Sequence, residues 1–251
     1  MIKYYIFKVK EEITMKKVLA IMMIGMLAVS MTACGQAAQS SESQETTAAA
    51  EETTVETPEE AISGGYTDAA SPVVTDEVKA LLDKETQELT GVSYVPVAYV
   101  SSQVVAGMNH LVLCKATTVT ADPITTYALV TIYEDLNGGA EITDIRNSDA
   151  QAPADSEEPM DGAAAEPASP EVTADAKDAL TKATELLTGA TYEPVALLST
   201  QVVNGTNYTM LCKITTVTEK PQTDYAVVTV YANSDGTAEI TQTYEFASAQ
   251  S

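Results

Sequence analysis

Two apolar rhythms alternate along this chain, and the pair occurs twice. Val78, Leu81, Leu82 and Leu89 fall near one face at helical spacing, as do Ala176, Ala179, Leu180, Ala183, Leu186 and Leu187. Thr75-Asp76 and Thr173 stand where helix caps belong, and Gly91 and Gly189 where helices stop. After each helix the spacing changes to β-branched and aromatic runs, in the first copy 93–105, 108–120, 126–136 and 140–145. Turn residues separate them at Ala106-Gly107, Asp122-Pro123 and Asn137-Gly138-Gly139. One helix followed by four sequential strands predicts an α+β unit, the helix packed across a four-stranded antiparallel sheet. Pro96 and Pro194 lie inside the first strand and imply a bulge or an edge there, because proline cannot donate to a ladder.

The repetition is an internal duplication. Residues 71–145 align without a gap to 169–243, with roughly 40 of about 75 positions identical. Two copies are too few for a solenoid, so each is expected to have its own small core. The expected organisation is therefore two tandem domains, 64–146 and 169–251. Residues 147–168 read as a flexible acidic linker. A flexible chain of about 20 residues spans roughly 25 Å, which predicts two independent, monomeric beads.

Ahead of the repeats lies a targeting layout. Met15-Lys16-Lys17 opens a basic segment, a short apolar stretch follows from Val18 to Val29, and Ala33-Cys34 closes it. The apolar run is shorter than the roughly 20 residues that a span needs. Residues 1–33 thus read as a signal peptide, with Met15 as the candidate true start. Ala33-Cys34 resembles a bacterial lipobox, which implies that Cys34 is lipidated and anchors the chain to a lipid bilayer outside the cytoplasm, in a bacterial cell envelope. Residues 34–63 carry Gln, Ser, Glu, Thr and Ala with no Lys or Arg, the composition of a disordered tether. The formal charge is −23, and removal of 1–33 with five lysines and two glutamates takes it to about −26. Such a surface repels nucleic acid, which is excluded as a partner.

The duplicated loop carries the functional signal. Gln103-Val104-Val105-Ala106-Gly107 recurs as Gln201-Val202-Val203-Asn204-Gly205, each followed by an Asn (Asn109, Asn207) and a strand ending in Leu-Cys-Lys. Gln-x-Val-x-Gly after a helix and a strand resembles the first inhibitory hairpin of cystatins, reversible inhibitors of papain-like cysteine proteases. The match is to the stefin branch, which lacks disulfides, and it extends over nearly all of each repeat. The resemblance implies tandem cystatin-like domains and three protease-contacting segments per copy. The first is a trunk glycine: Gly64 and Gly65 ahead of Pro72, and Gly162 ahead of Pro170. The second is the loop itself. The third is the last hairpin, where stefins carry Leu-Pro-Gly; here it reads Leu136-Asn137-Gly138 and Ser234-Asp235-Gly236. The third contact is thus more polar than in stefins, especially in the second copy. A glycine lets backbone approach a cleft closely, and valines freeze few rotamers on docking.

Other features have plainer readings. Cys114 and Cys212 occupy equivalent mid-strand positions and read as small core residues; an interdomain disulfide is the alternative. Isolated cysteines without Cys or His spacing predict no metal site. His110 is matched by Tyr208, so an aromatic-sized slot explains it better than catalysis. No phosphate-binding loop or nucleophile elbow is present, so neither an enzyme nor a cofactor is expected. The alternative to inhibition is a cell-surface binding module that inhibits nothing, since fold does not fix function.

Overall fold

The computed structural model describes residues 65–153 and 162–248. In chain order the elements are β1 (Tyr66–Asp68), α1 (Asp76–Thr86), β2 (Val92–Val105), β3 (Gly107–Thr118), β4 (Thr125–Asp135) and β5 (Ala140–Gln151). The second copy supplies α2 (Ala174–Thr184), β6 (Ala190–Val202), β7 (Gly205–Thr216), β8 (Thr223–Asn233) and β9 (Ala238–Ser248).

The helices begin where their caps predict. Thr75 Oγ1 accepts from the Val78 amide and Thr173 Oγ1 from the Ala176 amide, both at 3.3 Å. Each closes one of the orphan donors of a first turn. The helices end earlier than Gly91 and Gly189. Thr86 Oγ1 donates to the Leu82 carbonyl and Thr184 Oγ1 to the Leu180 carbonyl, both at 2.8 Å. A hydroxyl in competition for backbone acceptors favours termination. Leu89 and Leu187 are therefore past the helix and exposed, and Leu186 is 91% exposed. Gly91 and Gly189, at φ +91° and +100°, instead start the next strand and accept from the Val119 and Val217 amides.

Pro96 and Pro194 sit beside irregularities, as their missing donors require. Register shifts fall between Pro96 and Ala98 and again between Tyr99 and Ser101. The second copy repeats both, between Pro194 and Ala196 and between Leu197 and Ser199.

The expected pair of separate four-stranded domains, each with its own helix and core, is overturned. Among the described residues the strands form one nine-stranded antiparallel sheet in the order β1-β2-β3-β4-β5-β9-β8-β7-β6. The join is β5 against β9, with Arg146 opposite Ser248, Asn147 opposite Ala247 and Ser148 opposite Phe246. Asn147 to Gln151, expected in a linker, are therefore strand, and Ala150 is buried at its centre.

The core explains why the halves do not stay apart. Alternate residues of the central strands face opposite ways. In the first half Val112, Cys114, Val130 and Ile132 pack with Val78 and Leu82 of α1. Their neighbours Leu111, Leu113, Tyr127 and Leu129 face the other way. These join Ala196, Leu198, Leu211, Val227 and Phe246 of the second half in one shared cluster. The second half repeats the scheme, with Met210, Cys212, Val228 and Val230 against Ala176, Ala179 and Leu180 of α2. Each half-sheet is apolar on both faces, so a lone repeat would leave one face in water. At about 25 cal/mol per Å² of apolar surface, closing that face outweighs the loose tether the linker composition suggests.

Candidate functional site

The paired hairpins are tightly made. Val105 lies opposite Gly107 across the β2–β3 turn, and Val202 opposite Thr206 across β6–β7. Gln103 pairs with Asn109 in the ladder, and Asn109 Nδ2 donates to Gln103 Oε1 at 2.8 Å. Asn207 Nδ2 does the same to Gln201 Oε1 at 3.0 Å. Both glutamines of the motif are thus tied side to side across their own hairpin. Gln201 Nε2 also donates to the Gly162 carbonyl at 2.7 Å, which brings the second trunk glycine to the loop.

The tips are clamped from the neighbouring strand. The Tyr133 hydroxyl donates to the Ala106 carbonyl and the Tyr231 hydroxyl to the Asn204 carbonyl, both at 2.8 Å. A Cβ built on Gly107 would meet the Glu134 carbonyl oxygen at 2.2 Å and the Tyr133 ring at 2.9 Å. At Gly205 it would meet the Ala232 carbonyl oxygen at 2.5 Å. Packing against β4 and β8 thus leaves no room for a side chain at either glycine. What the tips do present are the valines: Val104 is 54% and Val202 70% exposed, with Val105 and Val203 beside them.

The last hairpins lie next to the first. Gly107 pairs with Asp135 and Gly205 with Asn233, so the β4–β5 and β8–β9 turns stand at the same end of each half. Asp135 Oδ1 accepts from the Asn137 and Gly139 amides and closes the first of these turns. Gly138 sits at φ +82°, and Leu136 projects 84% exposed. In the second copy Asp235 Oδ1 accepts from the Thr237 hydroxyl at 2.6 Å and amide at 2.9 Å. Those bonds, the hydroxyl first, hold its carboxyl below the usual range. Gly236 completes that turn, which carries no large apolar residue.

Gly65 precedes Tyr66, which pairs with Gln103, so this trunk residue also reaches the first tip. Gly64 and Cys34 lie outside the described residues. In each half three segments thus converge on one rim. The two rims do not converge on each other. β5 and β9 pair antiparallel through their C-terminal parts, which sends their N-terminal ends, and the rims attached there, in opposite directions. No family model matches the chain, and no curated protein matches it.

The two described cysteines lie in the core, not at the rims. Cys114 and Cys212 are free and buried; burial pushes the Cys114 thiol well up and Cys212 to about 12. His110 is buried between the Tyr99 hydroxyl on Nδ1 at 2.9 Å and Glu134 on Nε2 at 3.2 Å. Among the described residues no His, Cys, Asp and Glu group is placed to hold a metal ion. No described helix is long and apolar enough to cross a membrane. Sequence reasoning singled out the loops but not Tyr133 and Tyr231, which hold them. Their recurrence at the same offset as the loops was the available signal.

Proposed function

We propose that the chain is a reversible inhibitor of papain-like cysteine proteases that wedges its valine tips into the active-site cleft. The observation that supports this reading most is the exposed Val104-Val105 and Val202-Val203 pairs on hairpins already fixed by Tyr133 and Tyr231. A rigid tip loses little entropy on docking, so its apolar contact is retained as affinity. Leu136 beside the first tip adds apolar contact; the polar Ser234-Asp235 turn makes the second rim the weaker one. Opposed rims permit one protease at each end of a single chain. The chain acts outside the cytoplasm of a bacterial cell, held at the membrane by a lipid on Cys34. Loss of labelled palmitate incorporation in Cys34→Ala is the expected sign of that anchor.

Papain titrated with the full chain is expected to lose activity stoichiometrically, with about one chain per two protease molecules if both rims act. Val104→Asp with Val202→Asp should abolish inhibition without lowering the melting temperature, because both side chains are exposed. Unchanged inhibition by that double variant excludes the wedge. One observation favours a second reading, a cell-surface binding module that inhibits nothing. Packing alone accounts for Gly107 and Gly205, so the glycine of the motif does not require a protease to explain it. A folded chain that leaves papain fully active would establish that reading.

A further inference from the structure

A cleft of about 590 Å³ opens at the seam between the two halves, bordered on the first-half side by β1, the strand that follows the trunk glycine. Two ion pairs cross it. Lys213 on β7 bonds Asp68 on β1, and Arg146 Nη1 on β5 donates to Asp224 on β8 at 2.6 Å. Asp144 and the phenols of Tyr66 and Tyr225 complete its polar wall.

The duplication supplies a built-in comparison. The equivalent seam on the other side has its own bridge, Lys115 to Glu166 at 2.9 Å. There, however, Ala164 replaces Tyr66, Gln242 replaces Asp144, Tyr244 replaces Arg146 and Thr126 replaces Asp224. Tyr244 packs against the shared core, and Tyr127 is sealed at 1% exposure where its counterpart Tyr225 is only half-buried. Tyr127 is thus covered at the twin seam, whereas this seam is open at Tyr225 and lined with charge.

A second observation points into the open seam. Ser101 lines it and is fully buried, yet its hydroxyl completes no hydrogen bond of ordinary geometry. It faces the Tyr225 phenol and opposes the upward pull of burial on that group. A buried hydroxyl without a partner is destabilising.

We propose that this seam cleft binds a neutral polyhydroxylated ligand, a saccharide unit. A charged ligand would have to compete with a partner already in place, since Lys213 and Arg146 each hold an aspartate. A sugar hydroxyl both donates and accepts. It can donate to Asp144 and to the remaining lone pairs of the bridged aspartates while both bridges remain intact. Leu111, Tyr66 and Tyr225 line the same cleft and add apolar contact for a pyranose ring. The site does not depend on protease inhibition.

The test is calorimetric titration of the full chain with glucose, galactose, mannose and N-acetylglucosamine and their disaccharides, beside glucosamine and glucuronate as charged probes. Saturable binding of a neutral sugar is expected, in the millimolar range usual for a shallow polar site. Asp144→Gln and Arg146→Tyr each install the residue of the twin seam, and an unchanged melting temperature confirms that each variant folds. Asp144→Gln should weaken binding roughly tenfold, the scale of losing a hydrogen bond to a charged group; Arg146→Tyr, which puts a bulky ring into the cleft, should weaken it at least as much. Val104→Asp should leave sugar binding unchanged. No saturable binding of any neutral sugar, preference for a charged probe, or binding indifferent to both seam variants would overturn the proposal.

Discussion

The Tyr133 hydroxyl reaches back from β4 to the Ala106 carbonyl at 2.8 Å, and Tyr231 makes the same reach to Asn204. The bond spans 27 residues in each copy and fastens the hairpin tip to the next strand. It also lays the tyrosine ring over the following glycine, which leaves no room for a side chain there. Exposed valines on a tip held by a hydrogen bond from the next strand are what a preformed contact edge requires.

Removing only that hydroxyl separates tip rigidity from folding. Tyr133→Phe and Tyr231→Phe keep the rings over Gly107 and Gly205. Each should lower unfolding stability by about 1 kcal/mol or less. Inhibition of papain by the double variant is expected to weaken about fivefold, which a titration of residual activity reads directly.

The glycines themselves should behave differently. Gly107→Ala places a Cβ 2.2 Å from the Glu134 carbonyl at φ +147°, and neither strand can yield without breaking its ladder. A loss of about 3 kcal/mol is expected in urea denaturation. Gly91→Ala meets open space and carries only the backbone strain of φ +91°, about 1 kcal/mol. Equal losses at the two sites would show that packing against β4 does not hold the tip.

The shared core predicts one unfolding transition, not two. Leu198→Ala removes a side chain 2% exposed at the meeting of the halves and should cost about 2–5 kcal/mol. Hydrogen exchange followed by mass spectrometry should show faster opening of β3 and β4 as well as of β6 and β7. Protection lost in the second half alone would mean that the two halves fold independently.

The thiols supply a pH signature. Cys114 and Cys212 are raised by burial in the folded state, Cys212 to about 12, while an unfolded thiol titrates near about 8.5. The folded state therefore keeps its protons when the unfolded state loses them. Their contribution is fully present below about pH 8.5 and declines above it, by about 1.4 kcal/mol per pH unit for each thiol. Denaturation midpoints from pH 8 to 10 should show the fall, and Cys114→Ala should reduce its slope. In native protein neither thiol should react with a disulfide reagent at neutral pH.

Much of the local structure was legible because it rests on local chemistry. Thr75 and Thr173 cap helices through contacts three residues away, and Pro96 and Pro194 disrupt the ladder they cannot join. The duplicated Gln-Val-Val-x-Gly hairpins stood out by repetition and do form exposed tips. The helices end short of Gly91 and Gly189, at Thr86 and Thr184, whose hydroxyls bond back to the Leu82 and Leu180 carbonyls.

The sequence by itself determined the repeats, the order of helices and strands, and which residues turn the chain. Only the tertiary structure decided that two half-sheets fuse and share a core. The hint was present in Tyr127 to Val130, apolar at successive positions, which means a strand covered on both faces. Alternation says which residues share a face but not what lies over it, so the second cover could not be named. The β5–β9 join was less visible still, because strand pairing is made by backbone groups that every residue carries. That join sends the two rims to opposite ends and leaves one seam open at Tyr225 while Tyr127 is covered at its twin. Neither result has a local cause, since each depends on residues about a hundred positions apart meeting in space.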